Sequence, residues 1–127
     1  MGPVIPHSRS LTLCDAIVRP VDGKANIVGL FHAIRVVQYP YDLSHFCVFA
    51  QLSGGLGETP VHVEVRSGKS GRLLYATVPR TLTFPSRDFL MQVAFEVRQC
   101  RFKEPGTYLM EPYSDDRWIC DTTLLLR

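Results

Sequence analysis

Alternation of apolar and polar residues is the main pattern in this chain, and it predicts β-strands. Within residues 89–97, every second side chain, beginning with Phe89, is large and apolar. Successive side chains of a strand point to opposite faces, so this pattern is typical of a strand with one buried face. Apolar runs follow at residues 107–113 and 118–126, and turn-forming residues at 104–106 and 115–116 separate them. The three runs predict a β-meander.

Further strands are predicted at residues 11–18, 45–52, 61–66, 73–78 and 81–84. Segment 61–66 alternates most strictly, with three valines on one face and the polar side chains of His62, Glu64 and Arg66 on the other. Its valine face is therefore expected to be buried.

Residues 25–37 have an ambiguous pattern. Ile27, Leu30 and Ile34 match helical spacing, whereas several β-branched residues favour extended structure. The preceding pair Asp22-Gly23 is a strong signal for a turn between two paired strands. We therefore predict a strand, with a bulge or kink at Gly29 that explains the irregular spacing.

The predicted segments amount to about seven to nine short strands without a confident helix, which indicates an all-β protein of two packed antiparallel sheets. A chain of 127 residues has the size of one domain. Residues 1–10, which contain two prolines, are predicted to be an extended N-terminal arm, and residues 11–127 a single β-sandwich domain.

Charge and composition exclude several classes of function. The net charge of +2 is too small to predict binding of nucleic acid or of an anionic membrane surface. Polar residues interrupt the apolar runs well before the roughly 20 residues that a membrane span needs. The first ten residues lack the basic start and apolar run of a secretory signal, which predicts a cytoplasmic location.

The four cysteines are widely spaced and form no Cys-x-x-Cys pair, which argues against a structural zinc site. In a reducing cytoplasm, cysteines among apolar strand residues behave as small buried hydrophobic residues. We therefore predict that all four are reduced thiols: Cys14, Cys47, Cys100 and Cys120.

Several short motifs resemble those of a bacterial domain-of-unknown-function family of small, stand-alone proteins. The motifs are Leu13-Cys14-Asp15, Asp22-Gly23-Lys24, Ile27-Val28-Gly29-Leu30-Phe31, Tyr39-Pro40 and Phe102-x-x-Pro105-Gly106-x-Tyr108. The resemblance covers nearly the whole chain and implies an immunoglobulin-like antiparallel β-sandwich. It implies no activity, so it assigns no functional residue.

No catalytic residue, metal site or cofactor is predicted. A Gly-x-Ser-x-Gly nucleophile elbow is absent from the sequence. His62, Glu64 and Arg66, with His45 as a possible neighbour, could recruit a ligand, but a solvated strand face explains them better. Asp115 and Asp116 fit an ordinary turn better than a calcium site. Trp118 falls in register with apolar residues, which favours a position in the core or at a sheet seam.

The sequence favours a non-enzymatic binding or assembly module that acts through protein–protein association, with a second copy of the chain as the expected partner. Two sets of residues are candidate contacts. Arg80, Phe84 and Arg87 combine basic and aromatic side chains in one connection, and Phe49 and Tyr75 are apolar side chains that alternation sends outward.

Two alternatives remain open. One is small-ligand or carbohydrate binding in an end-loop pocket, and the other is a metal-dependent enzyme. The residues considered for the pocket are Tyr39, Tyr41, Arg80, Arg87 and Tyr113.

Overall fold

Twelve β-strands form within residues 2–19 and 23–127, which are the residues that the computed structural model describes. In chain order they are β1 (His7–Cys14), β2 (Ala16–Val18), β3 (Asn26–Val28), β4 (Ala33–Ile34), β5 (Tyr41–Ser53), β6 (Gly57–Ser67), β7 (Leu73–Ala76), β8 (Arg80–Phe84), β9 (Met91–Phe102), β10 (Gly106–Ser114), β11 (Arg117–Trp118) and β12 (Thr122–Leu126). The all-β prediction is confirmed. Four of these strands have only two or three residues, which accounts for the larger number than we expected.

The strands pair into three sheets. One sheet has the order β1-β5-β9 and is antiparallel throughout. The second has the order β4-β12-β10-β6-β7, with β8 also paired to β6 and β11 to β10. Its pairs are antiparallel except for β4 and β12. The third is a two-stranded antiparallel ribbon of β2 and β3. Within the described ranges no helix could span a membrane.

One hydrophobic core lies between the two larger sheets. Phe46 and Phe95 enter it from the three-stranded sheet, and Val63, Met110 and Leu124 enter it from the larger sheet. Val61, Val63 and Val65 are fully buried, as the alternation in segment 61–66 predicted. The alternation in β9 is confirmed as well, because Val93, Phe95 and Val97 are buried.

The predicted terminal meander is wrong at its first connection. Strand β9 pairs with β5, whereas β10 pairs with β6 and β12, so the chain crosses from one sheet to the other at residues 103–105. The second part is confirmed: β10 and β11 form a hairpin. Its turn contains Asp115 and Asp116, both with positive φ, a conformation that aspartate tolerates well.

Trp118 is exposed, contrary to the predicted core position. Strand β11 has two residues and pairs only with the end of β10, at Tyr113 and Ser114. Trp118 is 54% exposed because β11 is a short edge strand that pairs only with β10. Alternation assigned it to the wrong face, because β11 and β12 are separate strands and Trp118 lies opposite Tyr113, whose ring stacks on His62 on the outer face.

The predicted arm is partly structured. Strand β1 begins at His7, so His7, Ser8 and Ser10 pair with β5 around an irregularity at residue 9, and Val4 forms an isolated bridge with Leu56. The polar residues of His7–Ser10 obscured this strand in the sequence, because β1 lies at a sheet edge where polar side chains reach solvent.

The ribbon of β2 and β3 accounts for the irregular pattern of residues 25–37. The chain turns at Asp15, whose backbone N–H donates to the carbonyl oxygens of Val28 and Gly29 at 2.9 and 3.1 Å. Gly29 has a φ of +70°, which confirms the predicted kink. Of the predicted turn, Asp22 lies outside the described residues, and Gly23 has a φ of +82°.

Candidate functional site

A second, smaller apolar cluster lies on the outer face of the three-stranded sheet. It contains Cys14, Cys47 and Phe49, and Ile17 and Ala25 pack on it. The prediction that Phe49 is a contact residue is therefore wrong, because the side chain is buried. Alternation did send it outward from the main core, but the β2–β3 ribbon of the same chain covers that face.

Exposed apolar side chains lie on the ribbon and directly after it. Four such side chains are between 43% and 66% exposed: Val18, Ile27, Val28 and Leu30. Val18 and Val28 share one face of the paired strands, Ile27 lies on the other face with its partner Ile17, and Leu30 follows two residues after β3. We call these four residues the ribbon surface. Adjacent exposed apolar side chains of this kind are typical of an interaction site.

The predicted contact loop does not form one surface. Phe84 is buried in the main core, which contradicts its prediction as a contact residue, because strand β8 pairs with β6 and directs that side chain inward. Arg87 is exposed, and its carbonyl oxygen accepts a hydrogen bond from Gly54. Arg80 and Tyr75, by contrast, both line a cleft beside β9.

Side chains cap the outer edge of β9. Arg19 Nη2 donates to the carbonyl oxygen of Gln92 at 3.0 Å, and Arg80 Nη1 donates to that of Ala94 at 2.8 Å. The backbone N–H of Arg98 donates to the hydroxyl of Tyr75 at 3.3 Å. Backbone groups bonded in this way are not free to pair with another strand, which makes association through this edge unfavourable.

The cleft beside β9 has a volume of about 560 Å³, and three potential ligand groups line it. His45 and Cys47 lie two residues apart on β5, and Glu96 lies opposite Cys47 on β9. The imidazole nitrogen, the sulfur and a carboxylate oxygen of these residues all lie within 4.8 Å of one another. His45 Nε2 is 3.3 Å from Glu96 Oε1, and Arg98 Nη2 donates to Glu96 Oε2 at 3.0 Å.

Electrostatics at this cleft favours a charged carboxylate and a neutral thiol. Hydrogen bonds from Arg98 and His45 lower the pKa of Glu96. Burial, together with the charge of Glu96, raises the pKa of Cys47. Because the thiol keeps its proton at neutral pH, Cys47 is an unreactive nucleophile unless a cation displaces that proton.

The predicted polar face of segment 61–66 forms a separate network on the larger sheet. His62 Nε2 is 2.9 Å from Glu64 Oε2, and the imidazole stacks on Tyr113 with 5.3 Å between ring centroids. Arg66 pairs with both Glu64 and Glu111. His45 does not join this group, because it lies on β5 in the other sheet. Arg66 joins the two glutamates, which are paired opposite each other, so a structural role explains the network.

The predicted end-loop pocket is not assembled. Arg80 lines the cleft beside β9, Tyr41 lines a different cleft with Asp15, and Tyr113 belongs to the network around His62. Tyr41 lies on β5, Arg80 on β8 and Tyr113 on β10, and sequence order alone does not reveal how far apart these strands lie.

All four cysteines are free thiols, with three of them buried and Cys120 half-buried. Burial raises the pKa of Cys14 to about 11 and that of Cys100 to about 12. At pH 8, therefore, roughly one Cys14 thiol in a thousand is ionised. We expect a thiol-reactive disulfide reagent to titrate four groups in the unfolded, non-reduced protein and to react slowly with the native protein, Cys120 first. A count of two or zero in the unfolded protein would contradict this.

The structure defines the chain as an all-β protein with a covered outer sheet face, an exposed apolar ribbon and a polar cleft. Residues 9–127 match the family of unknown function DUF6941, and the chain belongs to that family. A comparison with curated proteins gives no match. Of the residues that line the cleft, Tyr75 and Arg80 are contacts that the sequence predicts, whereas no sequence pattern connects His45, Cys47 and Glu96.

Proposed function

We propose that this chain is a non-enzymatic association module of the bacterial cytoplasm, with an immunoglobulin-like β-sandwich fold, and that it binds a second copy of itself through the ribbon surface. The observation that carries the proposal is the group of four exposed apolar side chains on the ribbon and the residue that follows it. Four free thiols fit a reducing compartment.

Two features support the immunoglobulin-like assignment. The order β1-β5-β9 in one sheet and β6-β10-β12 in the other corresponds to strands A-B-E and C-F-G of that fold. The hydroxyl of Tyr108, near the start of β10, donates to the backbone carbonyl of Glu104 at 2.6 Å. A tyrosine at this corner, bonded to backbone a few residues upstream, is typical of immunoglobulin-like sandwiches.

Association through a face is favoured over association through the β9 edge. The side chains of Arg19, Tyr75 and Arg80 form hydrogen bonds with backbone groups of that edge. The outer face of the three-stranded sheet is covered where Phe49 lies. The ribbon surface supplies exposed apolar side chains on and beside that cover, and burying them against a second copy would remove apolar area from water in both copies.

Light scattering at micromolar concentration tests this proposal. The wild-type protein should have a mass above that of one 14.3 kDa chain. Val28→Glu and Leu30→Glu should each weaken the dimer by roughly 30-fold or more, since an unpaired carboxylate in an apolar contact costs at least about 2 kcal/mol.

Val37→Glu is the matched control, because Val37 is 98% exposed and lies outside the ribbon surface. This variant should keep the wild-type mass. A monomeric wild-type protein, or equal disruption by Val37→Glu, would overturn the proposal.

A further inference from the structure

The register of β5 and β9 brings three different metal-binding groups together at the cleft. His45 and Cys47 share one face of β5 because they are two residues apart, and Glu96 is the cross-strand partner of Cys47. Directly opposed side chains on one sheet face lie close enough to interact. Their nitrogen, sulfur and oxygen atoms are consequently all within 4.8 Å of one another.

These separations are close to those that a metal ion needs. A tetrahedral zinc site with ordinary bond lengths places its ligand atoms about 3.3–3.8 Å apart. His45 Nε2 and Glu96 Oε1 are already 3.3 Å apart. Small side-chain rotations would therefore be enough to bring the sulfur of Cys47 to the same spacing.

The surroundings position the ligands and leave one side open. Arg98 binds Glu96 Oε2, so the other carboxylate oxygen remains directed toward His45. A residue that orients a ligand in this way is characteristic of metal sites. The cleft of about 560 Å³ gives access and room for a water molecule as a fourth ligand.

The pair of His62 and Glu64 on the larger sheet lacks a third ligand group among the described residues. That pair has a similar His–Glu contact, at 2.9 Å, but Glu64 pairs with Arg66 and the His62 ring stacks on Tyr113. Within residues 2–19 and 23–127, only the group of His45, Cys47 and Glu96 places three such ligand atoms within 4.8 Å of one another. The thiol of Cys47 distinguishes this group from a surface ion pair, because a thiolate is a metal ligand.

We propose that His45, Cys47 and Glu96 bind one divalent transition-metal ion, and that this ion is zinc because of the class of the three donor atoms. A mixed nitrogen, sulfur and oxygen set suits zinc, whereas calcium and magnesium require oxygen ligands. On binding, the Cys47 sulfur loses its proton to solvent through the cleft and forms the metal–thiolate bond. Ala16 and Ile17 of the ribbon also line the cleft, but no ligand residue belongs to the ribbon surface, so the site does not depend on the association proposed above.

The test uses the full chain, purified without a metal-affinity tag, treated with chelator and dialysed. Titration with zinc against a chromogenic chelator should show one ion per chain. Cobalt should give a thiolate-to-cobalt charge-transfer band that Cys47→Ser abolishes. His45→Gln and Glu96→Gln, at the more exposed positions of the site, should each weaken zinc binding by roughly tenfold or more.

His62→Gln and Cys120→Ser are the controls, since they alter a similar His–Glu pair and a thiol outside the cleft. Both should bind zinc as the wild type does. Lack of stoichiometric binding by the wild type, binding unchanged by all three site substitutions, or equal loss in His62→Gln would overturn the proposal. Circular dichroism of each variant separates loss of the site from loss of the fold, and His45→Gln and Glu96→Gln decide the matter if Cys47→Ser unfolds.

Discussion

Replacement of Phe95 by alanine should lower the free energy of unfolding by about 3–5 kcal/mol, the usual cost of removing a buried aromatic side chain. Phe95 is 2% exposed, enters the core from β9, and carries the guanidinium of Arg80 5.7 Å from its ring centroid. Its loss leaves a cavity between the two sheets. Chemical denaturation followed by fluorescence measures the change.

Phe89 provides the matched control for this substitution. Alternation places Phe89 and Phe95 on the same face of one predicted strand, but β9 begins at Met91 and Phe89 is 40% exposed. Phe89→Ala should cost less than about 1.5 kcal/mol, because surface positions tolerate truncation. Equal costs at the two positions would contradict the strand boundary and the location of the core.

Gly29→Ala should have the second large effect, because it combines backbone strain with a steric clash. A Cβ at this position would displace the Asp15 carboxylate and would still lie 3.0 Å from the Asp15 Cβ, which side-chain rotation does not move. The φ of +70° adds about 1–2 kcal/mol for a residue with a side chain. The ribbon should separate from the sheet and uncover Cys14 and Cys47, which would then react faster with a thiol reagent.

Gly71→Ala separates the two contributions. Gly71 has a similar φ of +75°, but a Cβ there would meet no atom within 4 Å. It should therefore show the strain alone, with native thiol reactivity. In the double variant Asp15→Ala/Gly29→Ala, part of the lost stability should return as the clash is relieved. Equal thiol reactivity in Gly29→Ala and Gly71→Ala would show that the contact of Gly29 with Asp15 does not hold the ribbon.

Face assignments were the part of the fold that local sequence could predict. The three valines of β6 and the odd-numbered positions 93–97 of β9 are buried because one side of each strand meets the core. This alternation ends at Gln99, whose φ of +54° transfers the buried positions to Cys100 and Phe102. The sequence did not predict this change, because glutamine rarely adopts a positive φ.

Pairing partners could not be predicted, because alternation contains no information about which strand lies alongside. Strands β9 and β10 are consecutive and have similar patterns, yet they belong to different sheets. For the same reason the spacing of His45 and Cys47 was visible in the sequence, whereas their contact with Glu96 depends on the pairing of β5 with β9. Phe49 was misjudged because its cover comes from a ribbon distant in sequence from β5.

The edge of β9 can be capped early because of the order in which the chain is synthesised. All three capping side chains, Arg19, Tyr75 and Arg80, precede Met91 in the sequence, as does the pairing strand β5. Synthesis proceeds from the N-terminus, so the caps leave the ribosome before the edge that they cover. A nascent β9 can therefore be protected on both sides as soon as it emerges, without waiting for β10 to β12.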